Sequence, residues 1–289
     1  MPTSWFDWTQ GSWSIGILKW AIELWNGVIN GGVDVLTQSP QNLSPGIWTL
    51  MQGFNGILKG TGYGLLVLFF LIALFKNTTN LKDFTLQGVF GHFMRFAGAK
   101  LAIDYSMEFI GAIISIVLNI VGIFDASGSM IVEGVPLEIE RYANSLSIFD
   151  VGAQSAVSIL SIIAAIVAMI CAILFAVCIY GRVFRIYIHI ALAPIGLAPL
   201  GGDSTPNPGK KFITSFISVC LEAAVIVLAV VICKALMAGP VVDLIGQTAT
   251  EDVITILGNY VFKCCFCMVL VVTTTFTANR ITKEMFGGG

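Results

Sequence analysis

The sequence predicts an all-α polytopic membrane protein, with about five transmembrane helices and an N-terminal amphipathic helix ahead of them. Three observations carry this expectation. Five long apolar runs lie at about Ile57–Phe75, Leu101–Phe124, Ser155–Gly181, Phe212–Ala238 and Val253–Ala278. Each approaches or exceeds the ~20 residues that a helix needs to cross a hydrocarbon core. The composition is 56% hydrophobic and 11% charged, with a mean hydropathy of +0.89, too apolar for a soluble domain of 289 residues. The charges, finally, are sorted between alternate loops.

That sorting orients the chain. Lys76, Lys82, Arg95 and Lys100 follow the first run against Asp83. Arg182, Arg185, Lys210 and Lys211 follow the third against Asp203, and Arg280 and Lys283 follow the fifth against Glu284. The other two loops are acidic, with Asp125, Glu133, Glu138, Glu140 and Asp150 in one and Asp243, Glu251 and Asp252 in the other, interrupted only by Arg141. Lys and Arg stay on the cytoplasmic side of a membrane, so the expected topology puts the N-terminus outside and the C-terminus in the cytoplasm of a multi-pass plasma- or inner-membrane protein. The net charge of -2 says little by itself. The expected organisation is an outer Trp-rich segment over residues 1–46, a transmembrane domain over 47–281 with cytoplasmic loops at 76–100 and 182–211, and a cytoplasmic tail over 282–289. Met1 to Gln10 contain no basic region followed by an apolar core, so no cleavable signal is expected there.

All six tryptophans precede residue 49. Trp favours the membrane–water boundary, which makes Trp13, Trp20, Trp25 and Trp48 candidate interfacial anchors. Between them, Lys19, Glu23, Asn26 and Asn30 recur at helical spacing and form one polar stripe, with Ile15, Leu18, Ile22, Trp25 and Ile29 turned elsewhere. The pattern fits a helix lying on the outer surface better than a sixth span. Pro40 and Pro45 mark a turn within Thr37–Gly46.

Charge inside lipid is costly and faces either a partner or a water-filled path. Lys100, Asp104 and Glu108 are spaced by four and share one helical face. Lys100 pairing with Asp104 is one reading, and a hydrophilic face lining a substrate path is the other. Glu222 and Lys263 occupy similar depths in adjacent antiparallel runs, so they are a candidate ion pair fixing register or, in the other reading, pore or proton-relay groups. The seven cysteines all fall inside the runs and read as small packing residues, not as a disulfide framework or metal site. No metal or other cofactor is expected.

Leu192-Ala193-Pro194-Ile195-Gly196 is followed at once by Leu197-Ala198-Pro199-Leu200-Gly201, then Gly202. Two prolines within six residues break a regular helix. Upstream, Arg182, Arg185 and His189 share a helical face. The expectation is a third span that continues to the cytoplasmic boundary and breaks at the prolines. The resulting docking loop for a cytoplasmic partner comprises Arg182, Arg185, His189, Pro194, Pro199, Gly201, Gly202, Lys210 and Lys211. Gly209-Lys210-Lys211 is no phosphate-binding loop, since position 204 is Ser where Gly is needed and Lys211 replaces Ser or Thr. No triad or carboxylate pair in a soluble cleft supports catalysis, so no enzyme is expected.

The stretch Arg185-Ile186-Tyr187-Ile188-His189-Ile190-Ala191-Leu192-Ala193-Pro194-Ile195-Gly196-Leu197-Ala198-Pro199, with the Gly/Pro/Lys loop leading to Phe212, resembles the TrbL/VirB-type polytopic subunits of type IV secretion systems. The versions carried by conjugative elements of Gram-positive bacteria are the most similar. The resemblance covers most of the chain in topology, and its motifs lie within about Arg182–Phe212. It implies a membrane channel or platform for single-stranded DNA with its attached relaxase. The partners it implies are cytoplasmic ATPases, other secretion subunits, lipids and further copies in a ring. The alternatives are an ion or small-molecule permease using Glu222 and Lys263, and a non-conducting assembly scaffold.

Overall fold

The computed structural model describes residues 12–78, 86–125, 135, 137, 141, 151–202, 208–238 and 253–285. Most of both acidic loops, together with Trp5, Trp8, Lys82 and Asp203, lie outside the described residues. The helices are α1 (Ser12–Thr37), α2 (Pro40–Leu43), α3 (Pro45–Thr78), α4 (Leu86–Asp104), α5 (Ser106–Asp125), α6 (Val151–Leu197), α7 (Pro208–Ala238) and α8 (Val253–Met285), with a 3₁₀ turn at Ala198–Gly201. No strand occurs among the described residues. Five of these helices are long and apolar enough to cross a membrane: α3, α5, α6 with its 3₁₀ extension, α7 and α8. The chain is an all-α, multi-pass membrane protein.

Local chemistry sets the helix ends near the N-terminus. Ser39 caps α2 by accepting a bond from the Asn42 amide, and Pro40 and Pro45 occupy first-turn positions where no N–H is needed. Helices α4 and α5 meet at Tyr105 without losing register, because the Tyr105 amide still reaches the Leu101 carbonyl and the Phe109 amide reaches that of Tyr105, both at 2.9 Å. The stretch expected as a loop before the second run is therefore helical from Leu86 onward.

Helix α6 departs furthest from expectation. It continues 16 residues past Gly181 and carries Pro194 inside it. At ~1.5 Å per residue its 47 residues span about 70 Å, more than twice a ~30 Å hydrocarbon core. At ordinary tilts it reaches beyond the lipid. Along α8 the exposed side chains run from Phe262, Phe266 and Val269 through Thr273, Phe276 and Thr277 to Arg280, Ile281, Lys283, Glu284 and Met285, so exposed charge is confined to its last two turns.

The chain divides into two compact units. The first comprises Met1–Val35, Ile123–Ile179 and Ile226–Thr277, and the second Leu36–Gly122, Tyr180–Val225 and Ala278–Gly289. In the first, Ile15, Leu18 and Ile22 of α1 pack with Val157 and Ala164 of α6 and Leu257 and Val261 of α8. Farther along, the Trp25 ring meets Phe175 at 5.9 Å, and Gly32 lies against Phe175 and Ile179. Helix α1 thus runs lengthwise beside α6 and parallel to it, its apolar stripe buried and Glu23 and Asn30 exposed. In the second unit Leu66, Ala99, Ile103, Leu197 and Ala198 form the core, gathered from α3, α4, α6 and the 3₁₀ turn.

Candidate functional site

The second unit holds three groups of polar side chains, and each follows from a local demand. The first is set by Pro194. Having no N–H, it leaves the Ile190 carbonyl without its helical donor, and a bare carbonyl is tolerated at membrane depth only if another group satisfies it. Asn55 of α3 supplies that donor through Nδ2 at 2.8 Å, and the Asn55 Oδ1 accepts from the Ser106 hydroxyl at 3.2 Å. Both polar side chains are buried. A Cβ on Gly62 would lie 2.8 Å from the Pro194 carbonyl oxygen, so α3 approaches the break as closely as glycine alone permits.

The second group joins α6 to α7. The Arg182 guanidinium is buried and donates through Nε and Nη2 to the Val219 and Cys220 carbonyls, each at 3.0 Å. These carbonyls have a second lone pair to offer, and Ala223 and Ala224 keep that side of α7 small. Arg185 Nη2 donates to both carboxylate oxygens of Glu222 at 2.9 Å; the Glu222 side chain is 6% exposed and that of Arg185 35%. His189 completes the face: its Nδ1–H donates to the Arg185 carbonyl at 2.8 Å, and its ring lies 5.6 and 5.8 Å from those of Phe212 and Phe216. Arg182, Arg185 and His189 do share a helical face, and it is turned inward onto α7.

The third group is the charged face of α4 and α5. Asp104 is half-buried and takes the Tyr63 hydroxyl, while Lys59 Nζ donates to the Asp104 backbone carbonyl at 2.7 Å. Lys100 and Glu108 are exposed, and within the described residues neither has a hydrogen-bond or ion-pair partner in the chain. The pairing of Lys100 with Asp104 is therefore replaced by one between Tyr63 and Asp104.

Several expectations are corrected by these contacts. Glu222, for which Lys263 was the expected partner, is taken by Arg185, a residue that sequence reasoning had assigned to docking. The signal was present, because Arg185 and Glu222 both lie in helical segments that flank one short loop. Lys263 is half-buried in the first unit. Pro194, Pro199, Gly201 and Gly202 are buried, with Gly201 against Leu66 and Gly202 against Phe69. The repeated tripeptide thus packs into a core, and of the expected docking residues Lys210 and Lys211 alone are exposed. Trp25 and Trp48 are buried in protein, Trp13 is half-buried, and Trp20 remains open at 39%. Sequence reasoning missed Asn55, Tyr63 and Ser106. Asn55 was legible only as a lone amide near an apolar run, with nothing to connect it to a proline 139 positions away.

Among the described residues no cluster of His, Cys, Asp or Glu is placed to hold a metal. The free thiols are buried or half-buried, and Cys233 lies 3.4 Å from the Cys267 carbonyl within the α7–α8 packing. No curated protein and no solved structure is significantly similar to the chain. One family model does match, over residues 27–194, a stretch that takes in the second half of α1 from Gly27, all of α2, α3, α4 and α5, and α6 up to the proline that Asn55 compensates. With more than half of its length matched, and with the helical multi-pass architecture above, this chain belongs to the TrbL/VirB6 plasmid conjugal transfer-like family.

Proposed function

We propose that this chain is a conduit subunit of a conjugative type IV secretion system, through which single-stranded DNA and its relaxase leave the cell. Family membership makes it a membrane subunit of conjugal transfer that works with other transfer components. The observation that carries the finer reading is the exposed, internally unpaired charge of Lys100 and Glu108 at the entrance to the second apolar span. An exposed carboxylate beside lipid is unfavourable, whereas the same group facing a hydrated path is not. The arginines of α6, by contrast, are consumed in holding α7, and the permease alternative loses Glu222 to the same clamp.

In this reading several copies surround the path, with the basic loops and the C-terminus in the cytoplasm, where ATPases deliver substrate. Basic residues there would attract phosphates, although they are equally required for orientation. In-frame deletion of the gene in a donor cell is expected to abolish transfer of its mobile element, with recovery from a wild-type copy. Glu108→Gln and Lys100→Gln are expected to lower transfer at least tenfold with normal membrane levels, and a cysteine at position 108 should react with a water-soluble thiol reagent where one at Ile116 does not. Normal transfer from the deletion strain, or wild-type transfer by both charge variants, would overturn the conduit reading.

A further inference from the structure

Lys100, Asp104 and Glu108 follow one another at intervals of four, so on an isolated helix Asp104 would be drawn to Lys100 and pushed from Glu108. The structure does not pair Asp104 with Lys100. Three side chains of α3, themselves four residues apart, reach the joint between α4 and α5 instead. Tyr63 gives its hydroxyl to the Asp104 carboxylate, and Lys59 Nζ donates to the Asp104 carbonyl at 2.7 Å. Asn55 accepts from Ser106, the first residue of α5, at 3.2 Å. Tyr105, between the two gripped residues, belongs to neither helix.

Each contact meets a local need. The Asp104 carbonyl is the last in α4, and the last carbonyls of a helix have no donor within it. Lys59 supplies one, and with it a positive charge beside the residue whose carboxylate Tyr63 holds. Asp104 is thus compensated without Lys100. An exposed ion pair at this spacing is weak, whereas the bond from Tyr63 is charge-assisted and joins two half-buried side chains. The competition for Asp104 therefore goes to α3, and its outcome sets the charge of the surface. With Asp104 captured, Lys100 and Glu108 stand exposed as one cation and one anion. Were Asp104 released onto Lys100, that cation would be neutralised and Glu108 would leave the face negative.

We infer that Tyr63 and Lys59 are positioning residues, which withdraw Asp104 so that Lys100 stays open to the phosphates of a passing strand. The inference rests on the conduit reading and gives Lys100 its role within it.

Ala97 is exposed one turn before Lys100, so a cysteine there feels the charge of that lysine. Full-length Ala97→Cys protein in native membranes is labelled with an anionic and with a cationic methanethiosulfonate, the unsubstituted protein serving as the blank. The anionic-to-cationic rate ratio is expected to fall about threefold when Tyr63→Phe is added, the effect of one screened charge some 6 Å away. Adding Asp104→Asn as well should restore the ratio, because the released carboxylate is gone. Transfer from a donor cell is expected to follow the same order, lowered several-fold by Tyr63→Phe and recovered in the double variant. Lys59→Gln, which removes the compensating charge and keeps a donor, makes the same comparison should Tyr63→Phe fail to accumulate. A ratio unmoved by either variant, or a fall that Asp104→Asn does not reverse, would mean that α3 acts through packing alone and overturns the inference. A reversible fall in the ratio with unchanged transfer, where Lys100→Gln transfers poorly, overturns it too, since Lys100 would then work without being open. Labelling needs no transfer activity, so a reversible fall combined with dispensable Lys100 and Glu108 would discard the conduit, and the role of Lys100 with it, while the capture of Asp104 stands.

Discussion

Pro194 costs α6 one backbone hydrogen bond, and three residues from two other helices are arranged around that loss. Asn55 gives the Ile190 carbonyl its donor, Ser106 gives Asn55 its own, and Gly62 leaves room for α3 to come close. Leaving a buried carbonyl bare costs about 1–3 kcal/mol, so Asn55→Leu is expected to destabilise the protein by that amount. Pro194→Ala restores an N–H at position 194, which can bond Ile190 along the helix. In that background Asn55→Leu should therefore cost much less, because its partner is already satisfied. The comparison is a double-mutant cycle on melting in mild detergent. Equal losses from Asn55→Leu in the two backgrounds would show that Asn55 acts through packing and not through the carbonyl. At this scale little was legible beforehand: the proline announced an unsatisfied carbonyl, but nothing local identified the residue that answers it.

Elements were far more legible, because apolar length and helical periodicity are properties of contiguous sequence. The five spans and the amphipathic pattern of α1 were readable from hydropathy and spacing alone, but the apolar stripe of α1, expected against the membrane surface, packs on α6 and α8. From Arg182 the third span is expected to carry on to the cytoplasmic boundary and to break at the prolines, whereas the helix runs through Pro194 to Leu197. In the structure its three polar side chains are what permits it to stay helical: Arg182 and Arg185 reach across to α7, and His189 fits between Phe212 and Phe216. Charges that fix the register of two helices look, in sequence, like charges at a membrane surface. The clamp makes a graded prediction. Glu222→Ala leaves Arg185 without its carboxylate and is expected to cost roughly 1.5–3 kcal/mol, the range for charged hydrogen bonds. Glu222→Gln keeps an acceptor and should cost less. Resistance of the α6–α7 pair to limited proteolysis in detergent should follow the same order, and equal resistance in all three proteins would rule out the pair as a register lock.

For the whole molecule, charge is divided as the helices are. The first unit carries 11 Asp and Glu against 4 Lys and Arg, and the second carries 11 Lys and Arg against 6 Asp and Glu, together the chain's 17 acids and 15 bases. Short basic segments resist translocation, each carrying an energetic preference for the cytoplasmic side. Acidic segments carry little preference of their own, so the bases of the second unit determine the orientation. We propose on this ground that the basic end of α8, with Arg280 and Lys283, lies in the cytoplasm and the acidic segments outside. Helix α1, which packs parallel to the first half of α6, then starts on the outer side. A cysteine replacing exposed Glu23 near the middle of α1 is a poor reporter of side, whereas one at Trp13, near the start, and one at Lys283, near the end of α8, report opposite faces. The native thiols give little background because they are buried or half-buried within the helices. In intact cells an impermeant maleimide is expected to label Trp13→Cys and to spare Lys283→Cys until the membrane is opened. Labelling of Lys283→Cys in intact cells, with Trp13→Cys protected, would invert the topology. The charged face of α4 and α5 would then open toward the outside, and the direction in which a substrate meets Lys100 and Glu108 would be reversed with it.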